Sequence, residues 1–152
     1  MKSFILTIAL ASAPLWADSH QCPLQNVILN GAYVVTTTGT AGSPVWTGTT
    51  GPVAAMGKYV FDGRGNIEIP SATIVAANPP LNVVPPFTIT GSYTVNPDCT
   101  GTLTINFSPN PDAHYNFIVS PDGQQITLIS TDNGDVLIAT ATRLYRNRSD
   151  RD

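Results

Sequence analysis

Side chains able to do chemistry are few in this 152-residue chain: two histidines, two cysteines, one glutamate and five tyrosines. His20 lies in the expected flexible start of the mature chain and His114 stands alone, with no second His, Cys or carboxylate at ligand spacing, so no metal site is expected. There is no G-x-S-x-G, and a Ser/His/Asp relay would have to rest on His114, which alternates out of phase with Tyr115 and Phe117 and so falls on the wet side of a strand. Carboxylate pairs need two acids in one cleft, yet nine of the ten acids lie in turns or tails. The exception is Glu68, flanked by Ile67 and Ile69. Alternation puts it in solvent, whereas a bulge near Pro70 would turn it inward, where burial would raise its pKa and make it a candidate acid or base.

The tyrosines are the remaining candidates. A phenol inside an apolar shell needs a hydrogen-bond partner, and a bound carbonyl or an ordered water would serve. Tyr33, Tyr59, Tyr93 and Tyr115 all fall on the apolar phase of their segments, so they are candidate ligand anchors and, with Glu68, candidate catalytic groups. Phe87, Phe107 and Phe117 share that phase and are the expected wall of a binding site. Trp46 sits in a long loop over 42–52 and is a candidate lid. None of these groups calls for a cofactor.

Strands must position them. In residues 87–95, Phe87, Ile89, Gly91, Tyr93 and Val95 alternate with Thr88, Thr90, Ser92 and Thr94, a period of two without an error. After the turn at 96–101 the alternation resumes with Leu103, Ile105 and Phe107. Six further runs follow the same rule, over 31–40, 57–62, 66–76, 114–120, 125–131 and 136–145, which makes eight strands. Turn chemistry separates them: Asp62 to Asn66, Pro121-Asp122-Gly123 and Asp132-Asn133-Gly134 supply residues that preset a turn or tolerate positive φ. Thr suits the wet face because it is β-branched and stiff. The expected inward set also includes Val35, Phe61, Ile126, Leu128 and Ile138. No run keeps a helical period, and the spacing of about ten residues from turn to turn reads as a meander. The expected fold is therefore all-β, an eight-stranded antiparallel up-and-down barrel, with a β-sandwich as the alternative.

The charge is low, 11% of residues, with seven basic against ten acidic side chains and a net charge of -3. With most basic residues gathered in one tail, no patch exists to neutralise phosphates, and nucleic acid is excluded as a partner. Residues 1–17 have the layout of a signal peptide: Lys2, an apolar run from Phe4 to Leu10, then small residues up to Ala17. Cleavage after Ala17 is preferred to cleavage after Ala13, which would leave Pro14 first. The apolar run is too short to span a bilayer. The expectation is a secreted or periplasmic protein with one barrel domain over 18–145 and a flexible polar tail over 146–152. In such a compartment Cys22 and Cys99 read as a disulfide. Asn106-Phe107-Ser108 and Asn147-Arg148-Ser149 are glycosylation sequons, used if the host is eukaryotic.

Taken together, Gly31-Ala32-Tyr33, the stretch from Phe61 to Ile67, the stretch from Gly91 to Gly101, Thr131 to Gly134 and Ala139 to Arg143 resemble small secreted bacterial proteins of uncharacterised function. Their barrel is similar to that of allene oxide cyclases and, more distantly, lipocalins. The likeness covers most of 22–145 and speaks for the fold far more than for chemistry. It implies that Arg143 covers one barrel end by packing on Tyr33 through a cation-π contact. It also implies either carriage of apolar ligands or non-redox cyclisation of reactive lipids and polyketides. The expected function is thus binding of a small apolar molecule inside the barrel, with two alternatives: a cofactor-free cyclase or isomerase that polarises a carbonyl through a tyrosine, and a filled barrel that acts through its surface.

Overall fold

The computed structural model describes the backbone of residues 22, 24–42, 50–78, 80–83, 89–107 and 110–145. A short 3-10 turn, η1 (Gln25–Ile28), precedes β1 (Asn30–Ala41), β2 (Thr50–Asp62), β3 (Asn66–Asn78), β4 (Pro80–Val83), β5 (Ile89–Val95), β6 (Thr100–Asn106), β7 (Ala113–Val119), β8 (Gln125–Ser130) and β9 (Val136–Tyr145). Every pairing is antiparallel and each strand follows its sequence neighbour, until β9 pairs with β1 and closes the barrel. Closure removes the free edges that a Thr-rich sheet would otherwise present. Among the described residues no helix is long and apolar enough to cross a membrane.

Eight positions around the wall are filled by nine strands because β4 and β5 share one side of β3. β5 pairs with residues 66–69 of β3 and β4 with residues 74–77. Between them in the chain falls 84–88, outside the described residues, where Pro85 and Pro86 lack the N–H that a continuous ladder would need. The proline-rich stretch between the strand run 66–76 and Phe87, which shows no alternation in the sequence, therefore contains a strand. The loop expected at 42–52 is shorter than the sequence implied, since β2 begins at Thr50. The β2–β3 register slips between the pairs Lys58–Ser71 and Val60–Glu68, which brackets Pro70 with a bulge.

The strict alternation of the sequence becomes an alternation of burial, as in β7, where Ala113, Tyr115, Phe117 and Val119 are buried and His114, Asn116 and Ile118 exposed. β9 corrects one expectation. Its inward residues are Leu137, Ala139, Ala141 and Arg143, and Ile138 faces solvent. In a run as uniformly apolar as Val136-Leu137-Ile138-Ala139, residue type does not distinguish the two phases, and pairing with β1 and β8 sets them.

Candidate functional site

The strands run between two unlike ends. At one end lie η1, the start of β1, the end of β9 and the turns at 62–66, 96–99 and 120–124. A bulge in β9 places Arg143 opposite Tyr33. The guanidinium lies over the Tyr33 ring, 5.2 Å from its centroid. Its Nε donates to the Tyr33 hydroxyl at 2.9 Å, Nη2 donates to the same hydroxyl and to the Ile28 carbonyl, and Nη1 reaches the Asp122 carbonyl at 3.3 Å. The Tyr33 hydroxyl in turn donates to the Gly123 carbonyl at 2.7 Å. Gly123 has φ +65°, and a Cβ there would stand 2.6 Å from the Ile28 carbonyl and 2.7 Å from Arg143 Nη2, so only glycine fits the turn that closes on the arginine. A buried cation without a carboxylate is tolerated here because carbonyl dipoles and a phenol oxygen satisfy its donors.

Aromatic packing continues this end inward. Phe61 stands edge-on to both Tyr33 and Tyr93, with centroids 5.1 and 5.0 Å apart. The Tyr93 hydroxyl lies 3.0 Å from the Leu29 carbonyl and 3.1 Å from the Asn26 carbonyl, while Asn26 Oδ1 accepts from the Val95 N–H at 2.7 Å. The Cys22–Cys99 disulfide ties the chain ahead of η1 to the β5–β6 turn, reinforced by the Cys22 N–H donating to the Pro97 carbonyl. Tyr33 and Tyr93 were read from the sequence as ligand anchors. Both are buried with their hydroxyls bonded to backbone carbonyls, and they plug this end.

Deeper along the barrel from this plug, Tyr59, the cross-strand partner of Tyr33, and Tyr115 border a small, partly open cavity of about 20 Å³, together with Val35, Thr37, Ala55 and Ile74. Burial pushes the Tyr59 phenol up to about 12. Burial also raises Tyr115, helped by Tyr59, Asp135 and Asp132 nearby. Hydrogen bonds offset neither shift, in contrast with Tyr93, where backbone bonds oppose the rise. Both phenols thus stay protonated near neutral pH as donors facing the cavity. Thr37 was not singled out from the sequence, although it keeps the inward phase of Tyr33 and Val35, a signal that would have found it.

The other expected residues scatter. Phe117 is buried with its ring over Gly101, where any side chain would collide with it. Phe107 is partly buried against the core, and Phe87 and Trp46 lie outside the described residues. Glu68 is exposed on the outer wall; the bulge at Pro70 exists but does not turn it inward. Asn106 is exposed at the end of β6, and Asn147 falls outside the described residues, as do 1–21 and the tail from 146. His114 is on the outer face, as its phase predicts, with Nδ1 2.9 Å from Asp132 Oδ1. Comparison with protein-family models, with curated proteins and with solved structures gave no match to this chain.

Proposed function

We propose that this is a secreted or periplasmic barrel that binds a small, mainly apolar molecule at the cavity lined by Tyr59 and Tyr115. The likeness to the barrels of allene oxide cyclases and lipocalins supports a closed barrel used in this way. The observation that carries the reading is the pair of protonated phenols bordering, with Thr37, a cavity in an apolar wall, neither of them held by a hydrogen bond from the described residues. A space of about 20 Å³ holds one water, or one oxygen of a ligand. The barrel therefore grips a single neutral acceptor, such as a ketone, ester or ether oxygen, while the apolar body of the ligand lies toward the rim. A carboxylate is disfavoured, because desolvating it here would find no available cation: the buried Arg143 is committed to the Tyr33 hydroxyl and backbone carbonyls.

The same two donors would polarise a bound carbonyl, which is the requirement of a cofactor-free isomerase or cyclase. Native mass spectrometry of protein purified from its own host tests the binding reading directly. Retained ligand in the wild type, lost together in Tyr59→Phe and Tyr115→Phe, is the expected result; retention unchanged in the double variant overturns it. Turnover of the identified ligand would assign the enzymatic form.

A further inference from the structure

A glycine in the middle of a strand weakens it and leaves nothing to pack, so its presence calls for a reason. Gly57 stands well inside β2, paired with Val35 of β1 on one side and Ala72 of β3 on the other. Its backbone does not demand glycine, because its φ lies outside the left-handed range and any residue can adopt it. The surroundings do. A Cβ at 57 would stand 3.2 Å from Tyr59 Cε1, 3.2 Å from Ala72 Cβ and 3.0 Å from the Ser71 carbonyl oxygen. The Ser71 carbonyl and the Ala72 Cβ are held by the β2–β3 ladder beside the bulge at Pro70, so the Tyr59 ring is the neighbour free to give way. That ring therefore lies back along its own strand over Gly57, and Gly57 with Ala72 forms its seat. All three residues border the cavity of about 20 Å³, together with Tyr115 and Thr37.

We propose that Gly57 and Ala72 select the size of the group that enters this cavity, by setting where the Tyr59 ring sits. The inference rests on the reading of the cavity as a binding site and narrows its ligand to an unhindered carbonyl compound. A space for one water-sized atom admits a terminal oxygen, whereas an ether oxygen is flanked by two carbons and cannot enter alone. Two phenol donors, Tyr59 and Tyr115, match the two lone pairs of a carbonyl oxygen. The margin is a single methyl group. A methyl at 57 either fills the cavity itself or drives the Tyr59 ring into it, and the space is lost both ways. Taking the methyl from Ala72 has the opposite sign and makes room beside the oxygen for a carbon. Close-packed interiors feel changes of this size, and the β-branched residues that strands favour would abolish the cavity at either position.

NMR of the mature protein carrying isotope-labelled tyrosine reads the seat. Titration with cyclohexanone, and with fenchone, whose carbonyl lies between two methyl-bearing carbons, reads the selection. Gly57→Ala should shift the Tyr59 ring signals more than those of Tyr33 and Tyr93, and should weaken cyclohexanone by about tenfold or more, the usual effect of one methyl in a close-fitting pocket. Ala72→Gly should keep cyclohexanone and strengthen fenchone by about tenfold. Stability runs the other way, which separates selection from damage. Alanine at 57 restricts the unfolded chain and glycine at 72 loosens it, so Ala72→Gly should have the lower urea midpoint of the two although it binds more. Unmoved Tyr59 signals in Gly57→Ala, or one ketone preference shared by both variants and wild type, overturns the proposal. Failure of the underlying reading looks different: no protein takes up either ketone while Gly57→Ala still displaces the Tyr59 ring, which overturns size selection along with binding and leaves only the seat.

Discussion

Two pairs of tyrosines in the barrel interior serve opposite purposes. Tyr33 and Tyr93 are buried with hydroxyls bonded to backbone carbonyls, and they share Phe61 as a common edge-on neighbour. Tyr115 is buried and Tyr59 half-buried, and both line a small cavity. In the first pair the phenols belong to a network that also satisfies a buried arginine, whereas in the second they are left as donors. A tyrosine-rich interior is therefore no sign of ligand binding by itself. What separates a plug from a site is whether the hydroxyl already has a protein acceptor.

If the plugged end holds the barrel together, perturbing it should cost most. Reducing the disulfide, or replacing it by Cys22→Ser with Cys99→Ser, releases a cross-link between residues 77 apart and should cost about 2–4 kcal/mol, read as a lower midpoint in urea. Arg143→Met removes every donor that reaches Tyr33, Ile28 and Asp122 and should cost about 3 kcal/mol, again by urea denaturation. A variant as stable as wild type would show that the network is incidental.

Four Tyr→Phe variants sharpen the contrast within one residue type. Tyr33→Phe strands Arg143 donors and should cost about 2 kcal/mol, and Tyr93→Phe about 1 kcal/mol. Tyr59→Phe and Tyr115→Phe give up no protein bond and should stay within about 0.5 kcal/mol of wild type in thermal unfolding without ligand. Equal losses in both pairs would erase the distinction.

The smallest effect is one of pH. Asp62, Asp98 and Asp122 all lie in turns of the plugged end. Burial raises Asp62, but bonds from the Asn66 side chain and from backbone N–H groups of Asn66, Arg64 and Gly65 outweigh it and hold the carboxyl below its ordinary 3.8. Asp98 is lowered chiefly by the Thr100 hydroxyl and Asp122 by the Ser120 hydroxyl. Carboxylates lowered in the folded state stabilise it above the unfolded value, and this contribution is lost as pH falls below about 4 through the folded values. Amide protection factors, in which the pH dependence of intrinsic exchange is divided out, should therefore fall first in these three turns between about pH 4 and pH 2, ahead of the strands around Tyr59 and Tyr115. In the alkaline direction the sign reverses. The raised phenols favour the folded state below their ordinary 10.0, and that contribution is lost as pH rises toward about 12, the folded value of Tyr59.

Much of the fold is legible in the residues. Period-two alternation located the eight wall positions, and Asp-Gly and Asn-Gly chemistry located their turns, because in a strand a side chain's face follows from parity alone. Parity failed where both phases are apolar, at Ile138, and prolines obscured β4, since missing N–H groups interrupt a strand without ending it. The candidate site was half legible: four tyrosines were inward by phase, and Thr37 was readable on the same ground. Phase does not say how far along the barrel axis a residue sits or what faces it from a strand a hundred residues away.

The sequence by itself determined antiparallel strands by alternation and offered Cys22 and Cys99 as a pair, and the resemblance to small secreted barrels implied the packing of Arg143 on Tyr33; closure into a barrel rather than a sandwich came with the structure. Only the tertiary structure decided that Tyr33 and Tyr93 are spent on backbone carbonyls while Tyr59 and Tyr115 are not, and that Gly57 and Ala72 come together beside the Tyr59 ring. Local chemistry fixes which way a side chain points. Its partners are fixed by register and closure, which sum small choices over all the strands at once.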